Sequence, residues 1–205
     1  MKQKKYSMNK IVAIGNGESR QDIDCSKIHS VTVSCNAYMR EYIPHHLICV
    51  DKRMMEEAVA NKHNQHACLY TRPEWIEKYK KYERVFAVPA LPYASEERPD
   101  QPFQWGSGPY SVLLAAKFSK DVHMIGFDLW SKTGQVNNVF KGTKNYDPVD
   151  KKAVDPRYWI HQIAKVFENF SDRRFIVYNK EDWIMPDNWK YSNVYLDRIE
   201  NFSYS

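Results

Sequence analysis

Lys10-Ile11-Val12-Ala13-Ile14-Gly15-Asn16-Gly17-Glu18-Ser19 is where the reading of the chain starts. Its first half is apolar and rich in β-branched residues, with the length of a buried strand. Its second half sets two glycines around an asparagine, which permits a tight turn and close approach of backbone to a ligand. Ser19 or Asn16 is placed to cap a following helix, whose first N–H groups would then face an anion. The third glycine of the dinucleotide fingerprint is absent. The stretch alone therefore leaves two readings open: a nucleotide or phosphate loop, and an ordinary strand-to-helix turn.

Outward from this point, apolar runs recur. They cover 30–35 (ending on Asn36), 47–50 (ending on Asp51), 67–70, 85–88, 122–127 (with Asp128 at its end) and 175–178. Helices are expected between them. One covers 52–63 behind an Asp51 cap, and one opens at Thr71-Arg72-Pro73 with Trp75, Ile76 and Tyr79 on its inner face. Another covers 109–119, where Val112, Leu113, Ala115 and Ala116 allow tight packing, and a fourth covers 156–170 behind Asp155-Pro156. Residues 22–27 suit a short helix or turn, and the tail with Trp183, Trp189 and Tyr191 is expected to fold over an edge.

Strands that are apolar throughout and alternate with helices argue for a mostly parallel sheet with helices on both faces. The expected fold is a single α/β domain over 10–205, Rossmann-like and nucleotide-binding, behind a basic lead of 1–9. Two long connections interrupt it. Residues 89–104 are proline-rich and polar, a flap or a sheet-edge crossing. Residues 129–155 read as a lid-like loop.

The 205 residues are 43% hydrophobic and 14% aromatic, which is enough for a real core. No stretch has the apolar length of a membrane span, and no small-residue cleavage site follows the basic lead. The expected location is cytoplasmic, with peripheral membrane contact and a homo-oligomer left open. A net charge of +5 favours anionic ligands, without choosing among nucleotides, nucleic acid and a membrane surface. Cys25, Cys35, Cys49 and Cys68 form no C-x-x-C pair, so they read as small hydrophobes rather than a disulfide framework.

In an open parallel sheet the ligand lies off the carboxyl ends of the strands. Those ends carry Gly15 to Ser19, Asn36, Asp51 and Asp128. Gly106-Ser107-Gly108 forms a second small-residue helix start, and two such starts at one edge suit a phosphate and a ribose. Each also reads as a plain capped turn. Asn36 offers a donor and an acceptor to a ribose or base, or simply ends a strand. Asp128 suits a sugar hydroxyl or a loop backbone. His161, five residues after Pro156, is a candidate general base or a half-buried helix histidine.

His45-His46 has nothing at ligand spacing behind it, and His63 and His66, three apart with Asp51 and Glu57 upstream, run into a strand start at Ala67 that breaks their shared face, so no metal and no cofactor is expected. The phosphate-loop motif of ATPases is missing. A methyltransferase would want an acidic residue where Asn36 stands. No nucleic-acid-binding motif appears, so nucleic acid is not an expected partner.

Taken together, 14–19, Val33-Ser34-Cys35-Asn36, Gly106-Ser107-Gly108-Pro109-Tyr110 and Ile125-Gly126-Phe127-Asp128-Leu129-Trp130 resemble the bacterial sialyltransferases of the lipooligosaccharide type and related phage and bacterial proteins. The resemblance runs in order over about residues 10–165 and lies in the spacing of four short motifs. It implies a metal-independent inverting transfer of sialic acid from CMP-sialic acid to an acceptor hydroxyl. The partners implied are a CMP-linked sugar donor and a carbohydrate or other hydroxyl acceptor. Asn16 and Asn36, with Gly15 and Gly17 beside them, would contact ribose and phosphate, and Ser107 and Gly108 the cytidine nucleotide. Asp128 would lie near the donor sugar and His161 would be the base. The family binds the departing phosphate with tyrosines after the 122–127 strand. Here Trp130 stands at the first such place, and Tyr146, Tyr158, Lys141 and Lys144 are the candidate substitutes. Glu18 stands where the family has proline. Other nucleotide-dependent transferases, pyrophosphokinase-like or base-modifying, and a non-enzymatic binding module are the competing readings.

Overall fold

The computed structural model describes residues 7–92 and 105–205. Most of the 89–104 connection and the start of the basic lead lie outside the described residues. Eight strands form one sheet: β1 (Ser7–Ile14), β2 (Ser30–Cys35), β3 (His46–Ile48), β4 (Cys68–Thr71), β5 (Val85–Ala87), β6 (Asp121–Ile125), β7 (Arg174–Asn179) and β8 (Val194–Arg198). Their order is β5-β4-β3-β2-β1-β6-β7-β8, and every neighbouring pair is parallel. The helices are α1 (Lys52–Ala60), α2 (Ile76–Tyr79), α3 (Ser107–Phe118) and α4 (Arg157–Asn169).

Both faces of the inner strands are buried, as their apolar residues require, while β5 and β8 at the edges stay partly exposed. Along β1, Ile11 and Ala13 join the core beneath α3 and α4. Val12 and Ile14 point to the opposite core, closed by Ile199 and Phe202 of the tail. The two-residue period of a strand produces this division. A third cluster packs Met54, Met55 and Ala58 of α1 against Leu47 and Leu69. α3 lies across β1, β2, β3 and β6, and Val112, Leu113, Ala115 and Ala116 are all fully buried.

Four sequence expectations need correcting. β1 begins at Ser7, inside the expected basic lead. No α-helix follows β1, only a 3-10 turn over Glu18–Arg20. The helix expected from Thr71 is a 3-10 turn at Pro73–Trp75 followed by the single turn α2. The tail does cover an edge, but as β8, a parallel strand on β7.

The chain leaves β1 toward β2–β5 and then crosses back to β6 on the other side. β1 and β6 are therefore the switch point, where open α/β sheets hold ligands at their carboxyl ends. Gly15 to Ser19 and Gly126 to Asp128 both stand there.

Candidate functional site

The turn after β1 is locked onto the end of β6. Gly15 N donates to Ile125 O at 2.9 Å and Gly17 N to Gly126 O at 2.8 Å. A Cβ on Gly15 would lie 2.2 Å from Gly126 O, and one on Gly17 would lie 2.5 Å from the Asp128 carboxyl carbon. Close approach within the protein itself thus accounts for both glycines. Asp128 is 4% exposed. Its carboxylate accepts from Ser19 N at 2.8 Å and from Ser19 Oγ. Burial pushes the Asp128 carboxyl up from its ordinary value, and the bonds from Ser19 and Asn137 oppose that shift.

Glu18 N donates to Asn137 Oδ1 at 2.8 Å. The amides of Gly17, Glu18 and Ser19 are therefore spent on protein acceptors. The expected helix start with free N–H groups does not form at this turn.

Asn16 faces the other way. It is 8% exposed, and its Nδ2 donates to Cys35 O at 3.2 Å and to Tyr146 Oη at 3.3 Å. Its Oδ1 is buried without a hydrogen-bond partner. Tyr146 Oη also accepts from Ala37 N at 3.4 Å, and burial pushes its hydroxyl pKa far up. Asn36 follows β2 with a left-handed φ of 49°. Its Oδ1 accepts from Ser107 Oγ at 2.9 Å, and that oxygen accepts from Val50 N at 3.1 Å. This relay orients the Asn36 amide and leaves its NH₂ edge for another acceptor.

Ser107 and Gly108 are the first two residues of α3. Among the described residues, a Cβ at Gly108 would meet Phe127 alone, at an ordinary 3.7 Å. Unlike Gly15 and Gly17, Gly108 is not demanded by packing. Gly106 N donates to Gln162 Oε1 at 3.1 Å, which sets α4 beside the start of α3. The two small-residue turns thus stand on one rim, joined through Asn16, Cys35, Asn36 and Ser107.

Within the 129–155 connection, residues 137–146 are tied to this rim. Val139 N donates to Asn16 O at 2.9 Å, and Phe140 is buried in the α1 core. Arg40 grips Glu57 at 2.6 and 2.7 Å, Thr143 Oγ1 at 2.8 Å and Lys144 O at 2.8 Å. The Arg40 guanidinium holds the Glu57 carboxyl below its ordinary value, against the opposing effect of burial.

Lys141 pairs with Glu18 at 2.5 Å, and Lys144 is exposed. Trp130 stacks on Trp183 with centroids 5.5 Å apart and planes 15° apart. Tyr158 is 39% exposed. His161, on α4, is half-buried as a residue, and its Nε2 is buried. Among the described residues no hydrogen bond joins His161 to Asn16, Asn36 or Ser107. No cluster of three metal-ligating side chains occurs among the described residues.

Sequence reasoning read Ser19 as a helix cap rather than a partner of Asp128, and missed Asn137 and Arg20 as parts of the site. Arg20 is 3% exposed and donates from Nε to Gly15 O at 2.8 Å. Its only sequence signal is a basic side chain directly after the glycine turn, which is as common on a solvated turn.

No protein-family model matches the chain, and no curated protein matches it. The chain is similar to a solved structure of the sialyltransferase CstII from Campylobacter jejuni, in complex with the substrate analogue CMP-3FNeuAc. The TM-score is 0.56 and the identity 12%, over 95% of this chain and 88% of that chain. The likeness is one of fold: this chain has a sialyltransferase-like α/β fold.

Proposed function

We propose that the chain is a glycosyltransferase of the sialyltransferase type, moving a sugar from a CMP-linked donor to an acceptor hydroxyl by inverting displacement. The observation that carries this reading is the pair of asparagines at the switch point, which present opposite hydrogen-bonding edges. Asn16 has spent its NH₂ on Cys35 O and Tyr146, so it offers only Oδ1. That acceptor suits a ribose hydroxyl or an exocyclic amine, not a phosphate oxygen. Asn36 has spent its Oδ1 on Ser107, so it offers NH₂, which suits a phosphate or base oxygen. The start of α3 supplies further N–H groups for an anion, because Ser107 and Gly108 precede the first intrahelical bond from Tyr110 N to Gly106 O.

In this reading the acceptor oxygen attacks the anomeric carbon while the bond from that carbon to the phosphate oxygen breaks. CMP leaves with the electron pair. Its growing charge meets the start of α3 and the Asn36 amide. The proton of the attacking hydroxyl passes to His161. Asp128, with both oxygens on Ser19, braces the β1 turn from beneath the donor.

The test is CMP release from CMP-linked sugars, followed with and without added carbohydrate acceptors and with and without chelator, alongside calorimetry with CMP, UMP and AMP. The reading expects CMP to bind in preference and to be released faster when acceptor is present. Tighter binding of AMP or UMP, with no CMP release from any donor, would overturn it.

A further inference from the structure

We infer that Arg20 is a positioning residue for the nucleotide site, holding the backbone on both sides of Asn16 at once. Arg20 carries a full charge yet is 3% exposed. Such burial persists only where the charge is paired and hydrogen-bonded. Nη1 donates to Glu41 Oε2 at 2.9 Å, and the Glu41 side chain is 38% exposed. That pair alone would be satisfied at the surface. The guanidinium is instead drawn inward, where Nε donates to Gly15 O at 2.8 Å. It sits against the Tyr38 ring at 5.3 Å and the Phe140 ring at 5.6 Å. Its Nη2 is buried without a partner.

These contacts bracket Asn16 along the chain and in space. Gly15 is the residue before it, and its peptide is the one that orients the Asn16 side chain. Phe140 follows Val139, whose N–H donates to Asn16 O at 2.9 Å. Phe140 also packs on Tyr146, with centroids 5.8 Å apart, and Tyr146 accepts from Asn16 Nδ2. Arg20 therefore contacts both the β1 turn and the segment covering it. The planar fork matters here, because one edge bonds a carbonyl while the faces meet aromatic rings. A lysine offers a point charge without either feature.

The inference rests on the nucleotide reading for its functional consequence, but its structural half does not. Two variants test it: Arg20→Lys, which keeps the charge, and Phe140→Leu, which keeps Arg20 and removes one ring. Amide hydrogen exchange on the unliganded protein reads the structural half. Faster exchange confined to about residues 15–19 and 137–146 in both variants is expected. Exchange unchanged there, or raised evenly over the sheet, overturns the inference whether or not the parent binds CMP.

With a parent that turns over a CMP-linked donor, Arg20→Lys should raise the donor KM by about tenfold while kcat stays within about threefold. The double variant should be no worse than the poorer single, because both act through Asn16. A donor KM equal to the parent's, or penalties that multiply, would overturn it. Failure of the parent to bind CMP would instead strike at the proposed function and leave the exchange result to decide this one.

Discussion

Replacing Gly17 by alanine tests the lock between β1 and β6. Gly17 has φ −66° and ψ 152°, so alanine is not strained there by its backbone. The conflict is steric. The new Cβ would lie 2.5 Å from the Asp128 carboxyl carbon and Oδ1, and 2.8 Å from Oδ2. An unstrained carbon contact is about 3.5 Å, so the carboxylate must retreat by about an ångström. It has nowhere to go without stretching its bonds to Ser19 N and Ser19 Oγ. Hydrogen bonds to a charged group contribute about 1.5–3 kcal/mol each, so Gly17→Ala should destabilise the fold by about 3–6 kcal/mol. In a chain of this size that lowers Tm by roughly 10 °C.

Gly108→Ala is the control. Its Cβ meets Phe127 at 3.7 Å, and alanine is favoured over glycine within a helix by about 0.5–1 kcal/mol. Its Tm should match or slightly exceed the parent's. The assay is thermal unfolding followed by circular dichroism, repeated in an Asp128→Ala background where the clash is gone. There the Gly17→Ala penalty should fall below about 1 kcal/mol. A Gly17→Ala protein melting within about 2 °C of the parent, or an equal loss in both backgrounds, would refute the reasoning.

Three further outcomes are expected. Asn16→Ala should weaken CMP binding about tenfold or more by calorimetry, through loss of Oδ1 and of the link to Tyr146, and unchanged affinity would remove that role. His161→Ala should keep CMP affinity within about threefold while slowing transfer by about 10²-fold, and equal turnover would exclude it as the base. Glu57 is held by Arg40 below the ordinary carboxyl value of 4.5. Its pairing therefore stabilises the fold above that value and is lost as pH falls through the lower folded-state value. Stability should drop between about pH 5 and 3, and Glu57→Gln should flatten that limb of a denaturation series; an identical limb would contradict the pairing.

The sheet was legible because its strands are continuous apolar runs that only a two-faced buried sheet accommodates. Ile11 to Ile14, Val31 to Cys35 and Val122 to Ile125 needed no tertiary information. β8 was not legible: Val194-Tyr195-Leu196-Asp197-Arg198 ends on two charges and follows a tryptophan-rich tail. Its strand character comes from pairing with β7 at the sheet edge.

The turn after β1 was misread for a related reason. Glu18 and Ser19 look like a helix start, but their amides are captured by Asn137 and Asp128, far along the chain. Local capping rules do not contain that competition. Asn36 and Ser107 were separately readable as turn residues, while the hydrogen bond between them was not. Arg20 was silent because burial of a charged side chain depends on Tyr38, Glu41 and Phe140 arriving around it.

The central claim is that a cytidine nucleotide settles at the switch point between the β1 turn and the start of α3. A crystal structure of the protein soaked with CMP measures this directly. The account predicts density with a nucleotide hydroxyl or amine on Asn16 Oδ1 and phosphate oxygens near Asn36 Nδ2 and the amides of Ser107 and Gly108. CMP bound elsewhere, or an empty rim in crystals soaked at a concentration that saturates the protein in solution, would contradict it.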